Sequence, residues 1–195
     1  MPDVAAVDIV KLGHPALRAV AQPVGAGLRE SPAFLELIAI LKATLAGRGV
    51  GLAAPQIGVT LRVFLMEDPQ HRVDADPLRD ARQRTSFPLE IVINPVWRPV
   101  GAEQTTFAEG CLSIPPFLAV VDRFRTIEAE WLSLDGQQRK RKLVGWPARI
   151  FQHEADHLNG RLFIDDLPDL PRLDYAEIGQ GVPAGLRHRL GLDTA

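Results

Sequence analysis

The spacing of apolar residues predicts a first α-helix from Ser31 to about Ala46. Its apolar residues recur at helical spacing and so share one face, which comprises Phe34, Ile38, Leu41 and Leu45. Ser31 can cap the first turn, Pro32 suits the first helical position, and Gly47 is a helix stop. We therefore expect an amphipathic helix that buries this face.

Shorter segments rich in β-branched and aromatic residues predict strands. They are residues 61–67, 89–94, 126–134 and 137–144. In the third segment apolar residues alternate with glutamates, and Asp135-Gly136 then forms a hairpin turn into the fourth segment. Residues 68–88 are polar and bounded by prolines, and we interpret them as a surface loop.

A second helix is predicted from near Pro147 to residues 159–160, and it carries a motif with chemical meaning. His153 and His157 lie one turn apart on the same face, so both imidazoles can bind one divalent metal. Glu154 stands beside them, where its carboxylate can act as a base. These three side chains provide two metal ligands and a base, which are groups that metal-assisted hydrolysis requires.

The spacing does not identify the third metal ligand, although a catalytic site of this kind needs three protein ligands and one open position. In one large protease class the motif continues to a third histidine, and Phe163 excludes that class here. The remaining candidates are a carboxylate, as in two-His, one-Glu peptidases, and four side chains: His14, His71, His188 and Cys111. Cys111 is the only cysteine. A lone cysteine is most often a small buried hydrophobe, but residues 110–116 form a turn that can present a thiolate.

Three segments together resemble the peptide deformylase family. They are GVGLAAPQ at residues 49–56, EGCLS at 109–113 and QHEADHL at 152–158, in the order and separation typical of that family. The resemblance extends over roughly residues 10–167, and Gly145-Trp146 makes it closer to the organelle-type subgroup. It implies a metal hydrolase that removes the formyl group from N-formylmethionyl nascent peptides and releases formate.

The resemblance also implies a role for each residue of the site. The metal ligands are Cys111, His153 and His157, which hold one divalent metal per chain, with Fe²⁺ as the first choice and Zn²⁺, Ni²⁺ or Co²⁺ as alternatives. The catalytic groups are the Glu154 base and two donors to the formyl oxygen, the Gln56 amide and the Leu112 backbone N–H. The substrate-binding residues are Gly49, Val50, Gly51, Glu109, Trp146 and Ile150. Gly51 would let the substrate backbone approach closely as an added strand.

One position departs from the resembled family. Deformylases usually have an arginine where this chain has Leu118, whereas Arg123 matches a recurrent family arginine. The departure bears on substrate affinity and range. Two alternatives to deformylation therefore stay open at this point: an H-E-x-x-H metallopeptidase that cuts internal bonds, and a deformylase-like metal-binding protein with low activity.

Length and composition fit one domain with a sizeable core, since 46% of the 195 residues are hydrophobic and 24% are charged. We expect an α+β fold, a single compact domain with mixed or antiparallel strands packed around a central metal-binding helix. The catalytic domain would comprise residues 1–167, including the polar insertion at about 68–88. Residues 168–195 would form a tail packed on the same domain.

Charge and apolar content set limits on partners and location. A net charge of −2 without a lysine-rich run argues against nucleic acid as the main partner. No segment reaches the roughly 20 apolar residues that span a bilayer, so no membrane is expected. One cysteine agrees with a reducing compartment, and residues 1–11 lack a signal pattern, so we expect a cytoplasmic protein. Transient contact with the ribosome is compatible with this location.

Overall fold

Two antiparallel sheets form the β part of the structure, a computed structural model that describes residues 4–165, 167 and 188–190. The strands within these residues are β1 (Gly51–Ala53), β2 (Val63–Asp68), β3 (Phe87–Pro99), β4 (Gln104–Gly110), β5 (Leu118–Phe124), β6 (Thr126–Leu132) and β7 (Gln138–Val144). The larger sheet has the order β1-β2-β3-β6-β7, and β4 pairs with β5 as a separate two-stranded ribbon. β1 therefore lies at one edge of the larger sheet.

The helices lie on both sides of this sheet. They are α1 (Ala26–Arg29), α2 (Pro32–Leu45), α3 (Gln70–Asp74) and α4 (Trp146–Leu158), with short 3-10 turns at Pro15–Leu17 and Ala54–Ile57. Ser31 caps α2, because its hydroxyl accepts a hydrogen bond from the Phe34 N–H at 3.2 Å. Within the described residues, no helix has the length and hydropathy needed to cross a bilayer.

Alternation along β1 and β2 divides the core into two layers. Leu52, Val63 and Leu65 pack with the apolar face of α2. Phe64 and other residues of the opposite face pack with α4, where the Phe64 and Phe151 rings meet edge to face with centroids 5.2 Å apart. Because one side of α4 is buried against the sheet, the helix is fixed in position and its other side can carry polar residues.

Both predicted helices and the predicted hairpin are confirmed, and so is the α+β fold class. Strands β1, β4 and β5 were not predicted from the sequence, and β3 is longer than the predicted strand. The predicted tail at 168–195 lies outside the described residues apart from 188–190, of which Leu190 is buried with the α2 layer. The domain boundaries stay a prediction.

Most of the 68–88 segment is exposed, in agreement with its interpretation as a surface segment, but it also contains α3 and a buried ion-pair network that were not predicted. The Arg84 guanidinium contacts both oxygens of Asp68, at 2.7 and 2.8 Å, and also reaches Asp76 at 3.0 Å. Arg82 contacts the same Asp76 oxygen at 2.8 Å. Polar composition indicated solvent exposure here, but these charges are paired with one another inside the segment.

β3 bends at Asn94, where its pairing with β6 shifts register. Asn94 has a φ of 51°, a conformation that asparagine tolerates better than most residues. Its side chain accepts a hydrogen bond from the Val24 N–H at 2.8 Å and donates one to the Val24 carbonyl at 2.9 Å. The bulge and the chain before α2 are therefore held together by one side chain.

We expect Asn94→Ala to destabilise the protein by about 2–3 kcal/mol, since it loses both hydrogen bonds and strains the backbone. Asn94→Gly loses the bonds but relieves the strain, so it should unfold at a denaturant concentration between those of the alanine variant and the native protein. Equilibrium urea unfolding measures the stability of both variants. An alanine variant as stable as the native chain would contradict this account of the bulge.

Candidate metal centre and substrate cavity

Three potential metal ligands converge from two elements. α4 presents His153 and His157, and the turn after β4 presents Cys111; their ligand atoms all lie within 4.8 Å of one another. The Cys111 Sγ and the His157 Nε2 are 3.3 Å apart. Tetrahedral coordination at usual metal–sulfur and metal–nitrogen lengths places ligand atoms roughly 3.4–3.6 Å apart. A thiolate and two imidazoles in this arrangement fit one divalent ion.

The other histidines considered from the sequence do not join this group. Among the described residues, Cys111, His153 and His157 are the one cluster of three possible ligands close enough to hold a metal. His14 instead caps the first 3-10 turn, where its Nδ1 accepts a hydrogen bond from the Ala16 N–H at 3.2 Å. The geometry thus favours the cysteine over the carboxylate alternative.

The turn that carries Cys111 is fixed from two sides. Ile114 N–H donates to the Cys111 carbonyl at 2.9 Å, which closes the turn, and Leu12 N–H donates to the Ser113 carbonyl at 3.0 Å. The Lys11 ammonium donates to the Leu112 carbonyl at 3.0 Å. The thiol is therefore held against the amino-terminal segment and is 9% exposed.

Glu109, the residue before Gly110 on β4, orients His153. One carboxylate oxygen lies 3.0 Å from the His153 Nδ1, so Nδ1–H donates there and Nε2 is left to face the metal position. Burial alone would raise the pKa of Glu109, but hydrogen bonds from His153 and Arg123 lower it to about 2. Glu109 is therefore an ionised partner of a potential metal ligand as well as part of the cavity wall.

Glu154 has the environment of a proton acceptor. It is 4% exposed, and its Oε2 is buried without a hydrogen-bond partner among the described residues. Burial raises its pKa to about 7. An unpartnered carboxylate beside a potential metal position is suited to take a proton from water at neutral pH.

Gly51 makes room for Glu154. A Cβ at Gly51 would lie 2.2 Å from the Glu154 Oε1, so a side chain on this residue of β1 would displace the carboxylate. The family resemblance implied that this glycine lets the substrate backbone approach closely. The structure adds a second reason for a glycine here, which is its contact with the Glu154 carboxylate.

The Gln56 amide is aimed at the same position. Its Oε1 accepts a hydrogen bond from the Ala53 N–H at 2.8 Å, which turns the NH₂ group toward the Cys111 Sγ and the Ser113 Oγ, both at 3.4 Å. Gln56 is 1% exposed, so this orientation is protected from water. The amide can therefore donate to an oxygen bound next to the metal.

A cavity of about 520 Å³ opens over these residues. Each substrate-binding residue predicted from the sequence lines it: Gly49, Val50, Gly51, Glu109, Trp146 and Ile150. Other lining residues were not predicted, and among them are two arginines whose contacts are long-range. Arg149 belongs to α4, and Arg82 comes from the 68–88 segment, where its guanidinium lies 4.7 Å from the Trp146 ring centroid.

The comparisons with known proteins agree with this geometry. A family model described as polypeptide deformylase matches residues 6–172. The chain belongs to the peptide deformylase family. Peptide deformylase 1 of Streptomyces coelicolor is 43% identical over 161 residues, which cover 82% of this chain and 72% of that protein. The human mitochondrial peptide deformylase is 40% identical over 162 residues, with 82% and 67% covered.

Solved deformylase structures share the fold. The Met-Ala-Ser-bound class I type b peptide deformylase from Acinetobacter baumannii aligns with a TM-score of 0.74 and 31% identity, covering 84% of this chain and 99% of that one. The protein is a hydrolase that removes the N-formyl group from nascent peptides. This result decides against the metallopeptidase alternative.

We expect Gly51→Ala to lower kcat roughly 10²-fold with metal content unchanged, because the new methyl group displaces Glu154 by about an ångström. Gly49→Ala is a matched control. A Cβ at Gly49 would lie 3.2 Å from the end of the flexible Leu112 side chain, so kcat should stay near the native value. Equal kcat in the two variants would refute this role of Gly51.

Proposed function

We propose that deformylation takes place in the cavity above α4, with Cys111, His153 and His157 holding one divalent metal. The observation that carries the proposal is the cysteine, which comes from a different element yet lies within 4.8 Å of both imidazole ligand atoms. The unpartnered Glu154 carboxylate beside this cluster supports it.

In the proposed chemistry the protein supplies a base and two hydrogen-bond donors. A divalent ion held by these three residues would supply Lewis-acid chemistry and lower the pKa of water to about 7. Glu154 would accept a proton from the water that attacks the formyl carbon and pass it to the amine as the C–N bond breaks, so that formate and a free amino terminus are released. The formyl oxygen gains negative charge and is stabilised by the Gln56 amide and the Leu112 N–H, each worth roughly 3 kcal/mol. Within the described residues the Leu112 N–H donates to no other group, so it is free for this role.

The native metal is proposed to be Fe²⁺, on the basis of the family resemblance. The donor set of one thiolate and two imidazoles also suits Zn²⁺, Ni²⁺ and Co²⁺. Metal analysis of protein purified without air decides among them, and a zinc content near one per chain would overturn the choice of iron.

The substrate is proposed to enter with its methionine side chain against Val50, Trp146 and Ile150, the apolar residues of the cavity wall. Its backbone would lie beside Gly49 and Gly51 at the free edge of β1. The similar Acinetobacter protein carries bound Met-Ala-Ser, which supports a peptide of this class as the ligand.

The cytoplasm is proposed as the working compartment, with transient contact to the ribosome where formylated chains emerge. One cysteine and no disulfide among the described residues support a reducing environment. Similar relatives come from bacteria, mitochondria and chloroplasts, so relationship alone does not fix the compartment. Cosedimentation with translating ribosomes tests the contact. A protein that does not sediment with them would refute the proposed contact.

The role of Glu154 is tested by Glu154→Gln. The amide has a similar shape but cannot accept the proton, so we expect full metal content and a kcat reduced roughly 10²- to 10⁴-fold. Formate release from formyl-Met-Ala-Ser measures turnover, and metal analysis of the same sample provides the control. Near-native turnover in a fully metallated variant would rule out Glu154 as the base.

Leu118 tests the departure from the usual family pattern. Its side chain is 72% exposed and lies at the cavity mouth, where it covers Gly110. We expect Leu118→Arg to lower KM for formyl-Met-Ala-Ser about two- to tenfold with kcat kept, because a guanidinium at the mouth can donate to a peptide carbonyl. The effect is moderate because the position is open to water.

Val120→Arg is the matched control for this prediction. Val120 is on the same strand, 62% exposed, and does not line the cavity. The control should leave both constants unchanged. An unchanged or raised KM in a folded, fully metallated Leu118→Arg protein would show that this position does not limit substrate binding.

A further inference from the structure

One side of α4 carries a stripe of polar residues that faces the β4–β5 ribbon. The stripe comprises Arg149, Gln152, His153 and Asp156, which recur at helical spacing. Gln152 exchanges two hydrogen bonds with the backbone of Phe124, at 2.8 and 3.1 Å, and Asp156 pairs with Arg123. The ribbon is thus attached to α4 through polar contacts, in addition to the apolar packing beneath it.

Arg149 makes the most extensive of these attachments. Its Nη1 donates to the Glu109 carboxylate at 2.7 Å and to the Val121 carbonyl at 3.0 Å, and its Nη2 donates to the Thr105 carbonyl. Glu109 and Thr105 belong to β4, and Val121 belongs to β5. One guanidinium on α4 therefore holds both strands of the ribbon.

The contact with Glu109, together with the two hydrogen bonds from Arg123, also fixes which carboxylate oxygen faces His153. Arg149 and the Arg123 Nε share Oε1, whereas the Arg123 Nη2 and the His153 Nδ1 share Oε2. With Oε1 fixed, the carboxylate cannot rotate away from the imidazole. Arg149 thus acts on both parts of the metal centre, on the ribbon before Cys111 and on the orientation of His153.

Burial of a guanidinium between two elements has a desolvation cost that lowers the stability of the fold. Arg149 is 3% exposed, burial lowers its pKa, and it shares its one carboxylate with a second arginine. Replacing buried charges by apolar residues of similar volume is often neutral or stabilising, so stability alone is weak grounds for an arginine here. The planar guanidinium of Arg149 holds three hydrogen-bond acceptors at defined distances, and no apolar side chain can do this.

We propose that Arg149 is a positioning residue of the metal centre, which holds the ribbon at the separation from α4 that lets the Cys111 thiolate and the two imidazoles bind one ion. The inference rests on the proposed metal site and goes beyond it, since Arg149 touches neither the metal position nor its ligands. Residues that orient metal ligands typically change metal affinity 10- to 100-fold when they are replaced.

The test compares Arg149→Met and Arg149→Lys with the native protein, each loaded with Co²⁺. Competition with a chelator gives the dissociation constant, and the visible absorption of Co²⁺ reports coordination geometry. We expect Arg149→Met to bind about 10- to 100-fold more weakly with an altered spectrum. Arg149→Lys should give an intermediate constant, because an ammonium can reach Glu109 but cannot also hold both backbone carbonyls.

Arg125→Met is the matched control. Arg125 directly follows β5 and pairs with Glu103 and Gln83, so its loss removes a guanidinium near the ribbon without touching α4. Its dissociation constant and spectrum should equal the native values. A lower melting temperature in Arg149→Met with native metal affinity and spectrum would reduce Arg149 to a structural residue and overturn the proposal.

Two further measurements keep the outcome interpretable. If Arg149→Met does not fold, Arg149→Lys carries the test, and a native dissociation constant in that variant overturns the proposal. Cys111→Ala should lose metal binding regardless of Arg149. If Cys111→Ala binds Co²⁺ like the native protein, the proposed metal site itself is wrong; if only the Arg149 variants bind normally, the site stands and the positioning role fails.

Discussion

The buried carboxylate of Glu109 joins the two elements that carry the candidate metal ligands. The cysteine belongs to the turn after β4 and the histidines belong to α4, so neither element forms the centre alone. Glu109 accepts hydrogen bonds from both arginines and from His153 and is held in its charged form. Glu109 is only 5% exposed, and its hydrogen-bond donors offset the free-energy cost of removing its charge from water. A carboxylate buried to this extent without donors would not stay charged.

The rest of the fold provides rigid support for this junction. α4 is fixed by aromatic packing on one side, where Phe151 contacts both Phe64 and Trp131. The opposite side is then free to carry charged residues toward the ribbon without loss of helix position. The proposed base, Glu154, comes from the same helix and rests against Gly51 of the sheet edge. α4 therefore fixes the positions of the two histidines and of Glu154 relative to the β1 edge of the sheet.

Sequence patterns predicted the parts of this structure that depend on neighbours along the chain. The cap at Ser31, the glycine stop at Gly47 and the hairpin at Asp135-Gly136 are local, and each was placed correctly. The choice of Cys111 needed the family resemblance, because spacing alone left five candidates for the third ligand, namely three histidines, the cysteine and a carboxylate. The geometry then brought the same cysteine to the two histidines.

The features that were missed depend on contacts between distant residues. β1 is a three-residue strand with a glycine, too short for a periodic signal. β4 and β5 form a ribbon whose outward face carries exposed residues such as Val120 and Leu118, so hydrophobicity does not separate the two faces. The Arg149 contacts span 28 to 44 positions, a separation at which no local pattern could reveal them.

The Arg82 guanidinium over Trp146 makes one wall of the cavity positively charged. It is supplied by the 68–88 segment and secured by Asp76. An inhibitor extended past the methionine side chain would meet a cation stacked on an indole rather than open water or another aliphatic wall. A flat, electron-rich group at that end should complement the cation, so this segment sets which ligand groups the far end of the cavity accepts.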